Sequence, residues 1–306
     1  MRPVFYGKLF VSESNVSIVI VNYNAGDVLL QCLSAALKAS NLTEILLVDN
    51  ASHDDSLSQV QQQFGHDTRL NIIEHDDNLG FAGGANSVLS QVKGDYVLFL
   101  NPDCLIKPDS LLLFCRLLDK YPQAGMAGAL VRNLDGSEQT SCRREIPTPW
   151  KTLTRALYLH RLFPQYPHFQ GFEQTQYIAL PSQPISLEGI SGACMFVRRE
   201  ALDNVGPMDE DYFLHCEDLD WFMRFHAENW QILFAPHIEV THIQGSCSQS
   251  HPIKILWYKH RGMLRFYRKF FHKVYPLPLF WGVTAAVWLR FSLLASNVWV
   301  KRLLSR

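Results

Sequence analysis

Apolar residues along this chain alternate between two spacings. Val16 to Val21 (VSIVIV) is a short β-branched run of the kind buried in a parallel sheet, and Ala25 to Ser40 repeats apolar residues at helical spacing. The same change of period recurs through a strand at Glu44 to Val48, a helix at Ser56 to Phe64 and a strand at Leu70 to Glu74. It continues through a helix at Phe81 to Val92, a strand at Tyr96 to Leu100 (YVLFL) and a helix at Ser110 to Lys120. This βαβαβαβα order predicts an α/β fold with a mostly parallel central sheet and helices on both faces. In such sheets ligands bind beyond the carboxyl ends of the strands.

Polar residues cluster at those ends. Asn22, Tyr23 and Asn24 follow the first strand, Asp49, Asn50, Ser52 and Asp54 the second, and Asn101, Pro102 and Asp103 the fourth. Three strand ends thus converge on one crevice. Residues 143 to 185 are irregular and rich in Pro and aromatics, which reads as a substrate-covering excursion, and chemistry resumes at Gly189.

Asp103, after an apolar strand, can hold a hard divalent cation that takes its remaining ligands from water and diphosphate oxygens. Asn-Pro-Asp alone is equally a turn. Asp209, Glu210, Glu217, Asp218 and Asp220 crowd around Phe213, His215 and Trp221. A carboxylate there, with Asp218 starting a helix, could accept a hydroxyl proton, although a capping acid has the same pattern. His242 follows the strand-like stretch Ile238 to Thr241 and could complete a metal shell, or serve as a structural hydrogen bonder. Gly80-Phe81-Ala82-Gly83-Gly84 lacks the GxGxxG spacing, which discounts a nicotinamide site.

Together the segments Val21 to Asn24, Val48 to Asp54, Asn78 to Asn86, Leu100 to Asp103, Gly192 to Met195, Asp209 to Phe213, Glu217 to Trp221 and His242 to Ser246 resemble the family 2 glycosyltransferases with the GT-A fold. They are most similar to the subgroup containing rhamnosyltransferases of bacterial surface polysaccharide assembly. The resemblance covers about residues 16 to 270. It implies a Rossmann-like GT-A domain and a nucleotide-sugar pocket lined by Asn22, Asn24, Asp49, Asn50, Asn78, Gly80, Asn86, Asn101 and Arg143. It further implies Asp218 as general base with Glu217 beside it. Asn101 stands where the family's metal motif has its first acid, so Mg²⁺ or Mn²⁺ is expected on Asp103 and His242. Base and leaving group on opposite faces of the sugar would give single displacement with inversion. The implied partners are a dTDP- or UDP-sugar donor, L-rhamnose foremost, and a lipid-linked saccharide acceptor.

Charge is distributed unevenly, and this changes the picture of the C-terminus. No Asp or Glu follows Glu239, while residues 240 to 306 carry 11 Lys and Arg; the remainder holds 17 basic and 29 acidic residues. Arg261, Arg265 and Arg268 share one helical stripe among aromatics. Such a tail faces an anionic membrane surface, or packs on the catalytic domain or on a second protomer in a homodimer. Its Trp and Leu content disfavours nucleic acid. The uncharged run Val274 to Leu289, 16 residues, would reach only about 24 Å as a helix, short of a ~30 Å hydrocarbon core, so a peripheral segment is expected. The division reads as a leader at 1–15 without a signal-like apolar run, a catalytic domain at 16–250 and membrane-associating helices at 251–306. Seven scattered cysteines fit a reducing cytoplasm. A non-catalytic sugar-nucleotide-binding module is the reading from another class, opposed by the joint presence of Asp103, Asp218 and His242. A nucleotidyltransferase is disfavoured because Asn22 to Gly26 is not a phosphate loop.

Overall fold

The structure, a computed structural model, describes residues 14–156, 159–163, 165–166, 169, 179–243 and 252–304. Most of the expected leader, part of the irregular excursion and residues 244–250 of the His242 motif lie outside this set.

The first half follows the hydrophobic pattern: β1 (Val16–Asn22), α1 (Asp27–Ala36), β2 (Leu42–Asp49), α2 (Ser56–Phe64), β3 (Leu70–Glu74), α3 (Gly80–Asn86) and β4 (Tyr96–Leu100). Strand β1 is buried on both faces. Val16, Ile18 and Ile20 pack under α1, with Leu29, Cys32, Leu33 and Ala36 of its apolar stripe, while Val19 and Val21 join the core on the opposite face. Helix α3 stops well short of the expected Val92 and gives way to a 3₁₀ turn at Leu89–Gln91. Ser87 Oγ donates to the Gly84 carbonyl at 2.7 Å, a local bond that competes with the helical ladder.

The chain continues through β5 (Cys104–Ile106), α4 (Ser110–Lys120), β6 (Ala124–Arg132), β7 (Arg143–Arg144), α5 (Pro149–Ala156), α6 (Leu159–Leu162), β8 (Ile185–Ser186), β9 (Gly189–Ile190), β10 (Cys194–Arg198), α7 (Arg199–Val205), α8 (Glu217–Ala227) and β11 (Gln231–His242). The nine-stranded sheet has the order β3-β2-β1-β4-β10-β6-β11-β5, with β8 on β11. The sheet is mostly parallel, as expected: β6 and β11 pair parallel and share the direction of the first four strands, and three strands are reversed. Strands β3, β2, β1 and β4 are parallel, but β10 runs antiparallel between β4 and β6, and β5 and β8 run antiparallel to β11. Strands β7 and β9 form a separate two-stranded ribbon.

Two helices close the chain, α9 (Pro252–Phe271) and α10 (Leu277–Leu304). Leu264, Phe266, Tyr267, Val283 and Val287 are buried in the same apolar core as Val19, Phe99 and Trp221. The length argument from sequence is overturned: α10 continues through Arg290 for 28 residues, about 42 Å. Pro278 sits in its first turn, where a missing N–H costs nothing. Among the described residues this is one helix long and apolar enough to cross a membrane.

Part of the basic tail is neutralised inside the molecule. Arg265 donates to both oxygens of Asp209 at 3.1 and 3.0 Å, and Lys269 reaches Asp209 and Asp220, each at 2.7 Å. Asp220 is fully buried and also accepts from Arg224 at 2.9 Å. These acids belong to the cluster around α8, so α9 is pinned to the catalytic half by charge as well as by apolar burial. Asp220→Ala, which strips Arg224 and Lys269 of a shared buried carboxylate, should cost about 3 kcal/mol of stability in chemical denaturation.

Candidate active site

The loop after β1 and the loop after β2 are tied together by side chains. Asn22 Nδ2 donates to Asp49 Oδ1 at 2.6 Å and lies 3.1 and 3.0 Å from the Ser52 and Ser56 hydroxyls. Asp49 also accepts from the Ser52 N–H at 2.9 Å, and Asn24, at a φ of 53°, accepts from the His53 N–H at 2.7 Å. Asn50 donates to the Gly80 carbonyl at 2.8 Å, and its buried Oδ1 has no protein partner among the described residues. Gly80 needs its identity twice over, since its φ is +77° and a Cβ would stand 2.2 Å from the Phe213 carbonyl. Asn78 Oδ1 accepts from the Gly80 N–H at 2.9 Å.

Two members of the expected pocket are committed elsewhere. Asn86 clamps the 208–210 loop, donating to the Met208 carbonyl at 2.8 Å and to Glu210 at 2.9 Å. Arg143 is 1% exposed and held by Glu138 at 2.7 and 2.9 Å. Its neighbour Arg144, facing the other way on β7, pairs with Asp218. The guanidinium beside Asp218 is that of Arg144, since adjacent side chains in a strand point to opposite faces.

Asp103 and His242 meet because β5 and β11 pair antiparallel, with Cys104 opposite His242. His242 Nε2 stands 3.0 Å from Asp103 Oδ1, and Nδ1 lies 2.9 Å from Oε1 of the buried Gln139. An Nδ1–H donated to Gln139 leaves the Nε2 lone pair turned toward Asp103. Gln139, in a polar turn with no recognisable signature, escapes sequence reasoning. Cys104 Sγ is close by, but it contacts the Ala193 carbonyl at 3.4 Å and burial pushes its thiol well above the ordinary range. The donor set is thus one carboxylate and one imidazole, which fits Mg²⁺ or Mn²⁺ with diphosphate oxygens completing the shell.

Helix α8 begins at Glu217, after His215 and Cys216 at φ values of 68° and 75°. Two consecutive non-glycine residues in the left-handed region cost of order 1–3 kcal/mol each. The loop is backed by α9, where a Cβ on Gly262 would approach the His215 carbonyl to 2.9 Å. Asp218 Oδ1 accepts from the Leu219 N–H at 2.8 Å while Oδ2 meets Arg144. Glu217 is buried, its Oε2 without a hydrogen-bond partner among the described residues, and burial followed by the charge of Asp218 holds its carboxyl well above the usual range.

The Gly192–Ala193 peptide joins the two centres. The Ala193 carbonyl accepts from the Asn101 N–H at 2.9 Å, beside Asp103, and a Cβ on Gly192 would lie 2.8 Å from Asp218 Oδ2. The Asp103–His242 pair and the Asp218 carboxylate are thus linked through one peptide.

The family model for glycosyl transferase family 2 matches residues 17–206. The chain belongs to glycosyl transferase family 2. It is 27% identical over 292 residues to the N-acetylglucosaminyl-diphospho-decaprenol L-rhamnosyltransferase of Mycobacterium tuberculosis, covering 92% of each chain. It is 25% identical over 217 residues to rhamnosyltransferase WbbL of Escherichia coli K12, covering 64% of this chain and 76% of that one. In fold it is similar to the mannosyltransferase PcManGT of Pyrobaculum calidifontis, solved with GDP-Man and Mn²⁺, with a TM-score of 0.59 and 16% identity over 89% of this chain and 68% of that chain. The chain is thus a glycosyltransferase on a GT-A scaffold.

Two measurements test this geometry. Because the folded chain favours protonated Glu217, that contribution to stability is complete below the ordinary carboxylate pKa and disappears as pH rises through the raised value. Glu217→Gln, unable to ionise, should gain on the native chain in melting temperature steadily between about pH 5 and pH 9; parallel curves would mean that Glu217 is ionised throughout. Gly192→Ala should lower kcat by about 10²-fold through displacement of Asp218, with nucleotide affinity unchanged.

Proposed function

We propose that this glycosyltransferase moves L-rhamnose from dTDP-rhamnose to a hydroxyl of a polyprenyl-diphosphate-linked saccharide in cell-surface polysaccharide biosynthesis, with inversion at the anomeric carbon. The similarity to the mycobacterial rhamnosyltransferase along 92% of both chains supports the sugar and the acceptor class. The observation that carries the mechanism is the Asp218–Arg144 pair connected through Gly192–Ala193 to the Asp103–His242 pair.

Asp218 is the base. Arg144 and the Leu219 N–H hold its carboxylate in one orientation, ready to take the acceptor hydroxyl proton as that oxygen attacks. Glu217, neutral beside it, keeps a second negative charge out of the crevice. Asp103 and His242 would hold Mg²⁺ or Mn²⁺, which supplies Lewis-acid neutralisation of the departing nucleotide diphosphate. The linked Asn22, Asp49 and Ser52 side chains, with Asn24 and Asn50, present a rigid polar wall to the base and ribose. Attack and departure on opposite faces of the sugar give inversion, with positioning and charge neutralisation lowering the barrier.

The enzyme works at the cytoplasmic face of a membrane as a peripheral protein. Val283 and Val287 of α10 are buried against the catalytic half, and Phe291 packs on His260 of α9. Beyond Leu294 only about 10 residues of α10 remain, roughly 15 Å, too little to span hydrocarbon while this packing holds. Trp281, Leu289, Leu293 and Trp299 are exposed and suited to the interfacial zone.

Asp218→Asn should lower transfer by about 10³-fold while donor affinity stays within a factor of two; substantial residual transfer would remove Asp218 from the base role. A panel of dTDP- and UDP-sugars, scored for thermal stabilisation with Mn²⁺ or Mg²⁺, should single out dTDP-rhamnose. Stabilisation by a UDP-hexose instead would replace the sugar and keep the reaction class.

A further inference from the structure

A cavity of about 280 Å³ opens beside Glu217 and Asp218, between α5, α8, α9 and α10. Its lining has two halves. Arg144, Arg155, Lys259 and Arg290 bring cationic heads, and Leu256, Met263, Val283, Val287 and Leu294 form an apolar wall along α9 and α10. Arg144 is spent on Asp218. Among the described residues neither Lys259 nor Arg290 forms an ion pair with a carboxylate, and the region after Glu239 has no acid to offer. The Lys259 ammonium, on the cavity lining, is held below its ordinary pKa first by partial desolvation and then, against the opposing pull of Cys216, by Arg290, Arg144 and Arg155.

Like charges gathered along one side of a cavity repel one another, and an anion seated between them relieves that repulsion. The anion must be compact and rich in oxygens to answer several cations, and must carry an apolar chain to cover the wall. It must also present a hydroxyl near Asp218. A diphosphate on a polyprenyl chain, bearing a saccharide, meets all three requirements.

We propose that this cavity is the acceptor site, with Lys259 and Arg290 on the diphosphate oxygens of a polyprenyl-diphosphate-linked saccharide, the proximal isoprene units along Val283, Val287 and Leu294, and the sugar hydroxyl at Asp218. The inference rests on the proposed reaction for its saccharide and on the cavity alone for its lipid diphosphate. Bilayer phospholipids share the chemistry of a phosphate on an apolar chain, so the source is decided by comparing a soluble ligand with vesicles.

The probe is farnesyl diphosphate, titrated calorimetrically into the full-length protein below the ligand's aggregation threshold. Lys259→Gln and Arg290→Gln should each weaken binding about tenfold. Arg290→Lys should retain most of the affinity, and farnesol should bind equally weakly to all forms. Affinity for the nucleotide donor should not change, which with an unchanged melting curve excludes misfolding. Unchanged farnesyl diphosphate affinity in both Gln variants overturns the proposal. So does loss of phosphatidylglycerol vesicle binding alone, which would assign the cations to bilayer headgroups. Neither readout requires turnover: a chain that binds farnesyl diphosphate through Lys259 and Arg290 yet transfers no rhamnose keeps this site and loses the proposed reaction, and the reverse result loses the site and keeps the reaction.

Discussion

In the proposed reaction, Asp218 and the Asp103–His242 pair can act on one sugar only if the backbone fixes their separation. Here the Gly192–Ala193 peptide does so. Its carbonyl is bound by the Asn101 N–H beside Asp103, and its glycine leaves the space that the Asp218 carboxylate fills. The antiparallel entry of β10 next to β4 delivers this peptide to the crevice, with Cys194 opposite Leu100. A parallel strand would begin at the far edge of the sheet, so the reversal that breaks the regular alternation is what assembles the site.

Adjacent acids gain distinct roles from this placement. Glu217 and Asp218 are neighbours in sequence, yet one is buried with an unpartnered oxygen and the other meets a guanidinium. Environment, more than residue type, separates them: burial raises the Glu217 carboxyl, while Asp218 is held by a guanidinium and a backbone N–H. The left-handed residues His215 and Cys216 that aim them store strain, and a strained segment holds only where its surroundings leave no alternative. Gly262 of α9 pressing on His215, and Phe213 stacked on Tyr258 at 4.4 Å, supply that constraint.

The legible parts of the sequence were those encoded by local spacing. Continuous apolar runs marked β1 to β4, and polar residues at their ends marked the crevice, because strand ends in a doubly covered sheet are where polarity is tolerated. What spacing does not encode is the direction of a strand that pairs with a distant partner, and β10 was therefore invisible as an antiparallel insertion. Which arginine of the Arg143-Arg144 pair faces Asp218 could not be read either, since a two-residue strand carries no period from which to read its faces. Pro278 and Arg290 read as interruptions of α10, yet a proline in the first helical turn and an arginine facing a cavity are both compatible with one helix.

The C-terminal charge illustrates why composition alone misleads. Eleven cations without an acid resemble one electrostatic surface, but Arg265 and Lys269 are answered by Asp209 and Asp220 of the catalytic half. The acids missing from the tail are the excess acids around α8. Helix α9 therefore carries two populations of cations on different faces, one fastening it to α8 and one, at Lys259, turned into the cavity beside Asp218. Because the same helix backs the strained loop through Gly262, displacement of α9 also bears on the loop that leads to Asp218. On the proposed reading, attachment of these helices to a membrane surface and alignment of Asp218 are therefore mechanically coupled.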